Sequence, residues 1–201
     1  MDTQEFWKVI GTYNQETILV QIIILVVVLL ALTLSYTGKI KWMAKFVLGI
    51  TNLFIGIVFF AFYGTEPIQR YFALPLYLII GVLFLYDSYK NKEDILRKSN
   101  IWQVLLLLLY LIYPFVSYLL GNRFPKMVTY IMPCPVVSLS IVVYAGYAKK
   151  NVVLLALLTV WGLTGVKSVM FQAYEDIILL LCGIYGLILT IKEINRRKRK
   201  V

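Results

Sequence analysis

Apolar residues in this chain gather into long runs, interrupted by short stretches of charge, Gly, Asn and Pro. The runs have the length, about 20 residues, that crosses roughly 30 Å of hydrocarbon at about 1.5 Å per residue. The pattern predicts seven transmembrane helices, over 17–36, 44–63, 68–88, 101–120, 127–147, 151–172 and 174–191, followed by a basic tail over 192–201. The expected fold is an all-α polytopic bundle making a single transmembrane domain over 1–201. Most loops are only a few residues long, so little soluble recognition surface is expected.

Ahead of the first run, Phe6, Val9, Ile10 and Tyr13 fall on one face of a helix, and Asp2 to Glu5 has capping-box spacing. This predicts a short amphipathic helix lying on the membrane surface before the first span. Asp2 and Glu5 stand where a secretory leader would be basic, so no cleaved signal is expected.

Charge gives the predicted helices a direction. Alternate connections carry Lys39, Lys41 and Lys45, then Lys90, Lys92, Arg97 and Lys98, then Lys149 and Lys150, then the tail from Lys192 to Lys200. The other connections hold only Lys8, Arg70, Arg123 and Lys126. Cytoplasmic loops retain basic residues, so the expected topology in a cytoplasmic membrane puts the amino terminus outside and the carboxyl terminus inside. Trp7, Tyr13, Tyr63, Trp102 and Tyr147 fall near predicted span ends, the level that amphipathic rings prefer.

Composition narrows the chemistry further. A chain that is 61% hydrophobic, with a mean hydropathy of +0.82, has more apolar side chain than a soluble core of 201 residues hides, so the expected partner is the lipid bilayer. The absence of histidine excludes haem axial ligation by that residue, His-rich zinc sites, Ser-His-Asp triads and H-E-x-x-H proteases. Cys134 and Cys182 lie inside apolar runs, which argues against a disulfide framework. No cofactor or metal is implied. The net charge of +10 is placed for membrane orientation, and no nucleic-acid partner is expected. The basic residues of the tail form a candidate contact for anionic lipid, and oligomeric state is not legible.

Candidate chemistry concentrates in the predicted outer half. Lys167 sits about five residues inside the sixth run, where a charge is costly unless it meets a partner, water or the headgroups. Its candidate partners are Glu175, Asp176, Glu16 and Glu66. The Met132-Pro133-Cys134-Pro135 sequence is expected to break helix five, and Pro75 and Pro114 lie at similar predicted depth. Irregular backbone at that depth is tolerated where it is buried in protein or lines a cavity, so any cavity is expected there. Cys134 and Cys182 share a predicted depth beside Met132, a soft-ligand set for Cu(I), although packing is the ordinary role of such thiols. Gly162, Gly165 and Ser168 suit close helix packing, Gln21 and Asn52 suit interhelical hydrogen bonds, and Asp87 is expected in a solvated pair with Lys90.

The stretches 6–15, 63–68 and Pro133-Cys134-Pro135 resemble a family of bacterial multi-pass membrane proteins classed as a domain of unknown function. A tryptophan-proline pair associated with helix one of that family is replaced here by Ile18 and Leu19. The resemblance implies a polytopic membrane protein, carries no activity across, and draws attention to Tyr13, Asn14 and Cys134. The candidate ligand-binding set is therefore Lys167, Cys134, Cys182, Tyr13, Asn14 and Glu175. The function best matched by broken helices and an intramembrane cation is transport of a small solute or ion. The alternative is a non-catalytic membrane sensor or scaffold. An enzyme is disfavoured because acidic residues sit near span ends and thiol chemistry would rest on Cys134 alone.

Overall fold

The computed structural model describes residues 3–97 and 99–199. The described residues are mostly helical, in the order α1 (Thr3–Tyr36), α2 (Met43–Tyr63), α3 (Gln69–Lys90), α4 (Ile101–Leu111), α5 (Tyr113–Leu119), α6 (Pro133–Ala145), α7 (Val152–Val169) and α8 (Tyr174–Lys198). Five of them, α1, α2, α3, α7 and α8, are long and apolar enough to cross a membrane. The pair α4 and α5 makes a sixth if it counts as one span, bent by 50° at Ile112 just before Pro114. Proline forces such a break because it lacks the N–H and its ring crowds the preceding turn.

Two expectations need correction. The separate amphipathic helix does not exist as such: α1 is continuous from Thr3, and Val9, Ile10 and Tyr13 are buried against other helices. The capping box expected at Asp2 involves a residue outside those described. The helix predicted over 127–147 starts only at Pro133 and has 13 residues. Pro133 and Pro135 therefore begin α6 instead of breaking it, and prolines in a first turn remove no hydrogen bond because those N–H groups have no intrahelical acceptor.

The connections between the helices gather at two ends. At one end the basic connections touch: Lys41 pairs with Glu93 at 2.8 Å, Leu96 bridges to Tyr147, Lys149 N donates to Asp94 at 2.9 Å, and Arg197 donates to the Lys150 carbonyl at 2.6 Å. We call this the basic end. At the opposite end, the start of α1 meets the segment after α5, where Asn14 reaches the Met127 carbonyl at 2.7 Å, and Phe6 stacks on Phe171 at 5.1 Å.

Close packing of α7 on α8 depends on glycine. A Cβ on Gly162 would lie 2.6 Å from the Gly183 Cα, and one on Gly165 would lie 2.6 Å from the Leu180 nitrogen. Small residues at such crossings let backbones approach. The outward faces are apolar: Leu19, Ile22, Ile23 and Val26 of α1 are all exposed, as expected for surfaces solvated by lipid.

Candidate functional site

Near the end opposite the basic connections, the helices enclose a cavity of about 250 Å³. Phe59 and Phe60 reach it from a π-helical stretch of α2, Ile55–Tyr63, and Phe72 and Ala73 from the π-helical first turns of α3, Gln69–Ala73. Wider π turns commonly mark functional sites. The first turns of α6 contribute Pro133, Cys134 and Pro135, and α7 contributes Trp161, Thr164, Lys167 and Ser168. The polar groups are few: Glu66, Gln69, Cys134, Thr164, Lys167, Ser168 and Asp176 stand among aromatic and aliphatic walls. Apolar walls with a small number of placed polar groups are the usual make-up of a small-molecule site.

Asp176, at the start of α8, is the most constrained of these. Its Oδ1 accepts a 2.5 Å hydrogen bond from the Tyr113 hydroxyl, and the Cys134 thiol interacts with the same carboxylate. The Trp161 indole also interacts with Cys134. Trp161 in turn packs edge-on to Tyr77 at 5.0 Å and to Phe60 at 5.5 Å. α5 touches the start of α8, and α7 packs on α8 through Gly162 and Gly165.

Lys167 lines the same cavity but remains exposed, and it forms no hydrogen bond or ion pair among the described residues. Glu16 accepts from the Tyr63 hydroxyl at 2.7 Å, so that candidate partner is engaged elsewhere.

The other sequence candidates sit outside the cavity wall. Tyr13, fully buried, donates to the Ile131 carbonyl at 2.6 Å, and Asn14 donates to the carbonyls of Pro125 and Met127 at 2.8 and 2.7 Å. Tyr77 does the same for Pro133 at 2.7 Å. These side chains satisfy the backbone of the non-helical segment that leads into α6, where an unpaired buried carbonyl costs about 1–3 kcal/mol. Gln21 joins them by accepting from Thr129 at 2.6 Å. Cys182 is buried against Ser138, whose hydroxyl bonds the Cys134 carbonyl at 2.9 Å. Glu175 points away from the cavity and accepts from Ser117 at 2.6 Å and Asn122 at 3.3 Å. Thus Lys167 and Cys134 share the cavity, while Cys182, Tyr13, Asn14 and Glu175 support the structure around it.

A second polar cluster lies at the basic end. Lys45, with no exposed side chain, pairs with Asp87 at 2.7 Å and Asp94 at 3.5 Å, and its ammonium lies 4.2 Å from the centre of the Tyr147 ring. Asn91 donates to Asp87 at 2.8 Å, completing a closed network. This corrects the expected solvated pair: Asp87 faces Lys45, whereas Lys90 turns to the Tyr86 hydroxyl at 3.2 Å. In the sequence Lys45 reads as one of the loop cations, yet it lies in the first turn of α2 and faces Asp87 of α3. Asp176 reads there only as a candidate partner for Lys167.

Neither a curated protein nor a solved structure matches the chain. A family model described as a family of unknown function, DUF6064, matches residues 3–200, and this chain therefore belongs to that family.

Proposed function

We propose that this protein is an integral membrane protein that binds a small solute in the cavity and carries it across the bilayer. The observation that carries the reading is the placing of Asp176, Cys134 and Lys167 around one hollow, inside a bundle whose outer faces are apolar. Ionisable groups at membrane depth mark solute or ion pathways more often than they stabilise a fold. In this reading the chain crosses seven times, with α4 and α5 together making the fourth crossing and α6 with its preceding segment the fifth. Basic residues gather at the end away from the cavity, which supports a cytoplasmic basic end and an outward-facing cavity. The tail residues Arg196, Arg197 and Lys198 would then meet anionic lipid of the inner leaflet.

The test is flux of candidate solutes into vesicles carrying the full-length protein, compared with Ile68→Trp, which narrows the exposed wall of the cavity, and Lys167→Met. Solute-dependent flux reduced by Ile68→Trp supports transport. Saturable binding without flux would instead favour a sensor, a reading supported by the closed Lys45 network at the opposite end.

A further inference from the structure

We infer that the ligand of the cavity is a small organic cation, an ammonium group carried on an apolar or aromatic body, with Asp176 as its counter-charge. The inference rests on the cavity being a binding site and adds the chemical class of what it binds.

The first argument is an unbalanced charge. Asp176 faces an otherwise largely apolar hollow, and no lysine or arginine forms an ion pair with it among the described residues. Its partners are the Tyr113 hydroxyl at 2.5 Å and the Cys134 thiol, both neutral donors. They hold the carboxylate in place and spread its charge, but they do not cancel it. A carboxylate already held in low-dielectric surroundings by hydrogen bonds attracts a cation strongly, and that attraction offsets the water the cation gives up when the geometry is good. At the basic end Lys45 supplies that cation from the chain itself. In the cavity the chain supplies none in contact.

The walls point the same way. Phe59, Phe60, Phe72 and Trp161 face the cavity, and aromatic faces attract ammonium groups, most strongly where both are desolvated. The volume would hold about eight waters at about 30 Å³ each, or an organic molecule of about ten non-hydrogen atoms.

Lys167 does not reverse the sign. It is exposed at the wall and makes no ion pair with Asp176, so the chain leaves that carboxylate without a cation. An anionic ligand would have to approach Asp176 to use the one lysine.

The experiment uses three probes of similar shape and different charge, phenethylammonium, 2-phenylethanol and 3-phenylpropanoate, titrated calorimetrically near neutral pH into the full chain in nanodiscs. Phenethylammonium is expected to bind most tightly. Asp176→Asn should weaken it by about tenfold or more, and Lys167→Met, which removes a like charge from the wall, should tighten it. Preferential binding of 3-phenylpropanoate, lost in Lys167→Met, overturns the cationic class and leaves the cavity as the site. Equal binding of the alcohol and the ammonium, both blocked by Ile68→Trp, does the same. No binding of any probe up to about 10 mM overturns the cavity reading along with the class. Should Asp176→Asn fail to give a monodisperse protein, the probe series on wild type and Lys167→Met decides the matter alone.

Discussion

Both ends of the bundle hold ionisable groups, yet they are built on opposite plans. At the basic end, Lys45 is enclosed by Asp87, Asp94 and the Tyr147 ring. At the other end, Asp176 and Lys167 share a cavity without touching, and Asp176 is held only by neutral donors. The difference separates two uses of buried charge. A pair closed on itself repays part of its desolvation and holds helices together, whereas a charge left without its opposite is available to something from outside.

That contrast can be broken most directly at Lys45. Lys45→Met leaves Asp87 and Asp94 buried without their cation and should destabilise the protein by about 3–5 kcal/mol, read from unfolding in detergent. The double change Lys45→Met with Asp87→Leu should recover part of that loss. Recovery of nothing would mean that the network is not the closed unit described.

Tyr13→Phe comes next, because it strips the Ile131 carbonyl of its 2.6 Å donor. A loss of about 1–3 kcal/mol is expected, with ligand affinity unchanged because Tyr13 is not on the cavity wall. Asp176→Asn should change stability by less, within about 1 kcal/mol, since an amide oxygen still accepts from Tyr113. A loss as large as that of Lys45→Met would erase the distinction between the two ends.

The smallest effect concerns Glu93, a fully exposed carboxylate. Lys41, through a 2.8 Å hydrogen bond and its charge, lowers the Glu93 pKa from its ordinary value. A carboxylate whose folded pKa is depressed adds stability above its unfolded pKa and loses it as pH falls through the folded one. Carboxyl NMR titration should show the Glu93 midpoint rising in Lys41→Ala, with little change in stability at neutral pH.

Much of this arrangement was legible in the hydropathy pattern, and the failures have definite causes. Long apolar runs locate α1, α2, α3, α7 and α8, because each run has the length and composition of a helix able to cross a bilayer. The segment 127–132 reads as more of the same, since Met127, Val128, Ile131 and Met132 are apolar. Its departure from helix is permitted by donors on Tyr13 and Asn14, far away in sequence, which no local pattern reveals. Prolines at 133 and 135 signalled irregular backbone but were placed inside a helix instead of at its start. For the cavity, Lys167 and Cys134 stood out as a charge in an apolar run and a thiol between prolines. Asp176 stands out in the sequence only as a candidate partner of Lys167, because a position at a span end says nothing about which way the carboxylate points. The Lys45 network was missed for the same reason, since pairing across α2, α3 and the loop after it is tertiary.

The hydrogen bonds of Tyr13 and Asn14 also impose an order of assembly. Their acceptors lie 118 and 111 residues further along the chain, so a ribosome completes five of the helices described above before these partners exist. Meanwhile Gln21 can bond Asn14 and Thr17 within the first helix, at 3.1 and 2.9 Å. That local arrangement pairs the polar stripe within α1 until the late segment arrives to take it over. A nascent chain halted before residue 125 would keep the stripe turned in on itself, and the first helix would remain undocked on that side.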